Sequence, residues 1–508
     1  MGPEKASSAI VDEIVGAWFP GGSALTAADF LVFAAALALM VWLGRRAGRR
    51  TRGSADFFLA GRRVPSSAAA VSFLATEVSA MTVIGVPAIA FRENWNYLQF
   101  FLGSAAARVL VASLFLPAFY RDGGETAYGY LRRRFGPRTH AAGVGLFFVT
   151  RLLASGVRLM AACAAAGLLL GWGVLPTLIL FTVVGVAAMW EGGVESVVWT
   201  NALQAACFLG AGVLSVVFLL RRIDGGFPAA LRLASDAGKL EVFRWVPEGA
   251  SRFGRLFSDP GVFWVAALNG FFGSAAAFGT DHEMTQKLMT APDAAQSRRA
   301  LLLSIPASLL TLIIYMSIGT LLFVYYKQNA GLALPDSIDR IYPHFAATVM
   351  PRLMRGAVLT AIVMASIDSP LTSLSAVLVV DVLRPLARRP PSPEAELKAA
   401  RIAVAGFAFV LAAVALLFGA FDHALWLAFK IGGVTYGSLL GVYLLGLLTD
   451  RELDGGAAAA MAATTALCAV LMLLSERGTI SLGWSWLVAI GTGLTFGLGW
   501  ALGRPRAR

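Results

Sequence analysis

The sequence predicts an all-α polytopic membrane protein with about thirteen transmembrane helices. Three observations carry that expectation. Apolar runs of about 20 residues, enough to cross roughly 30 Å of hydrocarbon as helices, recur from Leu25 onward with few polar gaps. Of 508 residues, 57% are hydrophobic and only 14% charged, whereas soluble domains carry about 25% charged residues. The basic residues gather in short clusters between the apolar runs.

The expected spans are roughly 26–45, 66–91, 96–119, 140–170, 174–190, 196–220, 260–280, 300–325, 346–383, 400–419, 424–447, 456–474 and 481–502. Several are long, or carry small and helix-breaking residues, as at Gly85 to Pro87, Gly273 to Gly279 and Gly432 to Gly437. That pattern predicts discontinuous helices lining a site. Arg45, Arg46, Arg49, Arg50, Arg52, Arg62 and Arg63 follow the first span, and Arg132, Arg133, Arg134 and Arg138 fall on the same side. So do Lys287, Arg298 and Arg299, then Arg384, Arg388, Arg389, Lys398 and Arg401. The positive-inside bias places these loops in the cytoplasm of a bacterial-type cell, its cytoplasmic (inner) membrane holding the chain. An odd helix count then puts the N-terminus outside, the mixed-charge stretch 221–259 outside, and the basic tail to Arg508 inside.

Other classes are excluded by what the chain lacks. The balance of 42 Lys+Arg against 30 Asp+Glu gives +12, yet no basic patch interleaved with aromatics is present, so no nucleic-acid partner is expected. Cys163, Cys207 and Cys468 lie in apolar runs without a histidine at metal spacing, so neither disulfides nor a zinc site is expected. Residues 1–20 show no basic region and cleavage site of a signal peptide, and this segment is expected to be retained. No GxxxxGK[ST] loop supports ATP-driven transport, and four histidines without a nucleophile partner do not support an enzyme.

An ionisable side chain inside a span costs at least about 2.5 kcal/mol, so each needs a partner, a cavity or a function. Glu77, Arg151, Arg158, Asp368 and Lys430 are in this position. Asp381, Asp281, His282 and Glu283 fall at expected span ends, where snorkelling or capping is the expectation. Arg151 and Arg158, seven apart, share a helix face. Two readings stay open: ion pairs among these residues hold helices together, or a guanidinium meets a substrate carboxylate as a bidentate fork. Ser366, Ser369 and Ser373 follow helical spacing with Thr372 beside them. Such hydroxyls serve as interhelical hydrogen bonds or as oxygens for a hard cation.

Several motifs then occur in one order. They are Ala55-Asp-Phe-Phe-Leu-Ala-Gly-Arg62, Thr126-Ala-Tyr-Gly-Tyr-Leu-Arg-Arg-Arg-Phe-Gly136 and Gly192-Gly-Val-Glu-Ser-Val-Val-Trp-Thr-Asn-Ala-Leu-Gln204. Gly279-Thr-Asp-His-Glu-Met-Thr-Gln-Lys287 and Tyr436-Gly-Ser-Leu-Leu-Gly-Val-Tyr-Leu-Leu-Gly446 follow. With these the chain, from about Ala55 to Leu448, resembles the sodium:solute symporter family, which includes sodium-coupled carriers of glucose, proline, pantothenate and sialic acid.

The resemblance implies a leucine-transporter-like core of five-plus-five inverted repeats, 66–220 and 260–447, joined by an extracytoplasmic loop, 221–259. Segment 1–65 would hold a periplasmic N-terminus, an extra helix and a basic loop; 448–508 would hold two peripheral helices and the tail. It implies symport of a small organic solute by alternating access, with Na+ as coupling ion, the lipid bilayer as surroundings and no obligatory protein partner. The family's sodium site maps to the carbonyls of Ala75, Val78 and Ser366 and the hydroxyl of Ser369. A further hydroxyl position is Pro370 here, which loses a ligand but also lacks the N–H that would occupy the Ser366 carbonyl. A second cation position maps to Thr372 and Ser373, with Asn201 in place of an aspartate and Asp368 as a substitute carboxylate; sodium, a proton or a structural role all remain open. The substrate cavity maps to Glu77 through Thr82, Arg151, Ser274 and Lys430, which favours an organic anion or amino acid over a neutral sugar. The alternatives are a proton-coupled symporter and a transporter-derived solute sensor. No GxxxG dimer seam is expected.

Overall fold

The computed structural model describes residues 25–49, 51–246, 259–365, 369–419, 424–480 and 482–505. Helices dominate, as they must where no water satisfies an open backbone. α1 (Ala27–Gly48) opens on Thr26, whose amide and hydroxyl each donate to Asp29 Oδ2 at 2.8 Å. After the short α2 (Ser54–Leu59), Pro65 sets the start of α3 (Ser66–Glu77), and α4 (Ala80–Arg92) follows at a 60° bend. α5 (Tyr97–Leu110) passes through a π turn, Val111–Phe115, into α6 (Leu116–Asp122), and α7 (Tyr128–Arg134) leads on. α8 (Pro137–Leu170) has Pro137 at its first position and Gly171 just past its end at φ +70°, where a side chain would be strained.

α9 (Val174–Met189), α10 (Gly193–Arg222) and the amphipathic α11 (Gly226–Asp236) complete the first half. The second half runs through α12 (Phe263–Thr280), α13 (His282–Met289), α14 (Ala294–Gln328), α15 (Ile341–Thr348), α16 (Met354–Met364) and α17 (Ser369–Val377). A second π turn, Leu378–Leu383, carries α17 into α18 (Arg384–Leu386). α19 (Pro393–Phe418), α20 (Ala424–Leu448), α21 (Gly455–Glu476) and α22 (Leu487–Leu502) follow, and Arg451–Glu452 pairs antiparallel with Arg504–Pro505.

Among the described residues nine helices are long and apolar enough to cross a membrane, or ten with the bent pair α3–α4 taken as one span. The other expected spans, 174–190, 260–280 and 346–383, coincide with helices that are shorter or interrupted. The region 346–383 is not one helix. Leu353 sits at φ +67°, and the amides of Leu353 and Gly356 donate to Asp29 Oδ1 at 2.7 and 3.1 Å, so the buried carboxylate of α1 caps the start of α16.

Residues 226–246 hold α11 and then a strap across the ends of α4 and α5. Trp95 N–H donates to the Glu241 carbonyl at 3.0 Å, and Arg244 N–H to Gln99 Oε1 at 3.1 Å. Lys239 Nζ donates to the carbonyls of Phe91 and Arg92, at 2.7 and 2.9 Å, capping the C-terminus of α4. Desolvation there pushes the lysine's pKa down from its usual value.

Small residues bring α20 and α22 into backbone contact. Gly433, Gly437 and Gly441 recur every four residues, and a Cβ at Gly437 would lie 2.8 Å from both Gly491 Cα and the Val488 carbonyl. The chain therefore does contain a GxxxG seam, and uses it internally. Gly437→Leu is expected to cost about 1–3 kcal/mol, the range for overpacking, read as a lower Tm in detergent. Gly493→Leu, where a Cβ meets nothing within 4 Å, should leave Tm unchanged.

Candidate functional site

The site is built around two helix breaks. At the first, Val78 and Ser79 take extended conformations, at φ −78°, ψ 107° and φ −108°, ψ 174°. The Ser79 amide, which in a continuous helix would close on the Ala75 carbonyl, instead donates to Thr82 Oγ1 at 3.4 Å. The Thr82 amide, which would close on Val78, donates to the Ser79 carbonyl at 2.8 Å. Ala75 and Val78 thus have carbonyls outside the helical ladder, and such oxygens suit a hard monovalent cation.

Glu77, the last residue of α3, is held by Arg108 of α5. The Arg108 side chain is fully buried and Glu77 is 24% exposed. The guanidinium also donates to Ser308 Oγ at 3.2 Å, to Ser304 Oγ at 3.2 Å and to Ser104 Oγ at 2.9 Å. Its face lies 4.7 Å from the centre of the Phe278 ring. Ser274 Oγ donates to Ser104 Oγ at 2.7 Å, so α3, α5, α12 and α14 meet in one polar network. Three neutral hydroxyls and one carboxylate thus use most of the five donors of the guanidinium.

Asn201 of α10 faces the same broken helix from the other side. Its Nδ2 donates to the Ser72 carbonyl, Ser72 Oγ and Thr76 Oγ1 at 3.0, 3.0 and 3.1 Å, while its Oδ1 is buried without a hydrogen-bond partner. A buried acceptor left unmet costs roughly 1–3 kcal/mol, and an amide oxygen is a ligand type that sodium accepts. On α17, Thr372 Oγ1 donates to Gln286 Oε1 at 3.3 Å and Ser373 Oγ to the Pro370 carbonyl at 3.0 Å, both residues fully buried. Asn201 therefore binds α3, and Thr372 binds α13. Ser366 and Asp368 lie outside the described residues, and Ser369 is described through its main chain at the start of α17.

The second break, at Asp281 (φ −85°, ψ 123°), separates α12 from α13. Asp281 Oδ1 accepts from the Glu283 amide at 2.9 Å, and Oδ2 accepts from Tyr436 Oη at 2.8 Å and from Arg151. Arg151 also pairs with Glu283 and donates to Tyr436 Oη at 3.2 Å. Their side chains are 3% exposed for Arg151, 1% for Asp281 and 0% for Glu283. Arg158, two turns along α8, stands 4.0 Å from Glu283 and is 26% exposed. Asp281 does cap a helix, but Asp281, His282 and Glu283 are buried and none snorkels. Hydropathy takes an internal break for the end of a span.

Of the expected cavity residues, Glu77 and Ser274 share one network, Thr82 lies at the break beside them, and Arg151 sits in the second cluster. Lys430 is not brought to them: its Nζ pairs with Glu476 Oε1 at 2.8 Å, at the end of α21. Its long stem carries the charge away from the apolar span. Arg108 is missed by the sequence reading, although an arginine within 96–119 meets the same mid-span criterion that singles out Glu77. Arg108→Met is expected to lower stability by about 3–5 kcal/mol, because loss of one partner strands the other. Adding Glu77→Gln should recover most of that loss. A double-mutant cycle by thermal unfolding measures the coupling, and additive losses would show that the pair does not interact.

Comparisons with known proteins agree with this architecture. The model of the sodium:solute symporter family matches residues 57–463. The sodium/sialic acid symporter SiaT of Proteus mirabilis is 28% identical over 438 residues, covering 84% of this chain and 86% of the relative. Human sodium-coupled monocarboxylate transporter 1 is 26% identical over 433 residues, covering 83% of this chain and 69% of the relative. The structure of a Na+-coupled sialic acid symporter in a substrate-bound outward-open state superimposes with a TM-score of 0.83 at 24% identity, over 93% of this chain and 97% of the other. Mhp1, a nucleobase-cation-symport-1 family transporter in a closed conformation, gives 0.51 at 15% identity, over 87% and 92%. The broken helices, the polar networks that wall them and these likenesses lead to one conclusion: the chain belongs to the sodium:solute symporter family and is a leucine-transporter-like, multi-pass Na+-coupled solute symporter, a transporter and not an enzyme.

Proposed function

We propose that this symporter imports a small organic carboxylate by alternating access across a bacterial cytoplasmic membrane, with N-terminus outside and C-terminus inside. The observation that carries the substrate class is the pair of arginines on α8. Arg151 is enclosed by Asp281 and Glu283, two carboxylates that more than match its single charge. Arg158, on the same face and a quarter exposed, has Glu283 at only the limit of an ion pair. Arg158 then reads the substrate carboxylate, while Arg151 fixes the break at Asp281. SiaT and monocarboxylate transporter 1 are named for acidic solutes, which supports the same class.

For the ions, Ala75 and Val78 carbonyls join Ser366 and Ser369 in the principal sodium site. The unmet Asn201 Oδ1 supports a second position beside α3, shared with Thr372, Ser373 and Asp368. Repeats at 66–220 and 260–447 would rock about this midplane. The orientation follows from the basic loops at one end.

Sodium, but not potassium or choline, is expected to raise the Tm of the purified protein, by about 2.7 kcal/mol of stabilisation at a hundred times Kd. Ser369→Ala should weaken that response; a response to pH in place of sodium would make the coupling ion a proton. In proteoliposomes, Arg158→Gln should raise KM for a carboxylate solute by about 10- to 100-fold, the loss of one charge-assisted bond, with half-saturation by sodium unchanged. An unaltered KM would remove Arg158 from the substrate site.

A further inference from the structure

We propose that a groove between α1 and α9 is a binding site for an anionic phospholipid. The inference rests on the membrane reading and is independent of which solute is carried. The groove has a volume of about 400 Å³, within the range of small-molecule sites. Val183, Val186, Ala187 and Trp190 form its wall at helical spacing, and Arg45 and Glu191 form its rim. Close backbone packing sets its depth. A Cβ on Gly44 would collide with the Ala188 carbonyl, and one on Gly48 would lie 2.6 Å from Glu191 Cβ. The helices are thereby pinned at one level, and the side chains diverge beside that contact. Val183 is 60% exposed and Trp190 39% exposed, so the opening faces the surroundings of the bundle.

Chemistry selects the occupant. The wall is apolar and suits an acyl chain, while Trp190 stands where indoles gather at a membrane interface. The rim carries an excess of positive charge. Arg45 and Glu191 are 3.9 Å apart with side chains 64% and 44% exposed, a weak pair that leaves most of the guanidinium open. Arg49 follows one turn after Arg45 on the same face, and Arg401 reaches the Glu191 carbonyl at 3.4 Å. Only Arg45 pairs with the Glu191 carboxylate, Arg401 reaches its main-chain carbonyl, and Arg49 adds a further charge one turn on, so the rim carries more guanidinium than carboxylate at the end of the molecule that bears the basic loops. A lipid phosphate supplies the missing negative charge, and its chain covers the apolar wall.

The test titrates the purified full chain in detergent with phosphatidylglycerol, with phosphatidylcholine of the same acyl chains, or with glycerol phosphate as soluble headgroup. Tm is the readout. Phosphatidylglycerol should half-saturate at about fivefold lower lipid than phosphatidylcholine, the factor given by roughly one added charge contact. Glycerol phosphate alone should do nothing. Arg45→Gln should bring the two lipids toward parity, and Val183→Trp, which fills the groove, should weaken both; each substitution is at an exposed side chain, so folding is preserved. Equal responses to the two lipids, a preference that survives Arg45→Gln, or stabilisation by the headgroup alone would overturn the proposal.

Discussion

Hydrocarbon offers no hydrogen-bond partner, and a main-chain carbonyl released from a helix must be met from inside the protein or cost several kcal/mol. The breaks at Val78–Ser79 and at Asp281 are placed under that constraint. Each is surrounded on several sides by side chains from other helices. Asn201 and the Arg108 network flank the first, while Tyr128 Oη donates to the Thr280 carbonyl at 2.9 Å and Arg151 and Tyr436 hold Asp281 at the second. The site exists because these walls permit open backbone where lipid would forbid it.

The same economy governs the charges. Burying an ion pair is no reliable source of stability, since desolvation offsets the attraction between partners. What such pairs provide here is position. Glu77 fixes the end of α3 against α5 and α14, and Arg151 ties α8 to the junction of α12 and α13 and to Tyr436 of α20. The first cluster carries matched charge, and the second, with one guanidinium between two carboxylates, reaches balance only when Arg158 is counted, so the dipoles around both breaks are held in fixed orientation.

Hydropathy is a local property, and most of the spans were accordingly legible in the sequence, whereas 174–190, 260–280 and 346–383 fall on shorter or interrupted helices. The motifs from Ala55 to Gly446 gave the family and its fold. Pairing was not legible, because it depends on which helices become neighbours: Arg151 finds Asp281 across 130 residues. Lys430 reads as a mid-span charge, yet its partner is at the end of another helix. The interruption before α16 is invisible locally since the cap comes from Asp29, 324 residues earlier than Leu353. Arg108 is different. Its position in an apolar run was available to the sequence reading, and only its four partners needed the structure.

The chain is made from one end, and the two buried arginines then face unequal waits. Glu77 precedes Arg108 by 31 residues, so both belong to one helical hairpin, α3–α4 with α5, while Ser304 and Ser308 arrive 196 and 200 residues after Arg108. Arg151 has no such companion. Asp281 follows it by 130 residues, on the order of ten seconds at 5–20 residues per second. During that interval a lone guanidinium in the bilayer costs roughly 2.5–3.5 kcal/mol, which the apolar length of the 34-residue α8 has to offset. Biogenesis thus divides what the folded molecule unites: the first cluster acquires its counter-charge once α5 follows α3, and the second closes only when α12 and α13 enter the membrane.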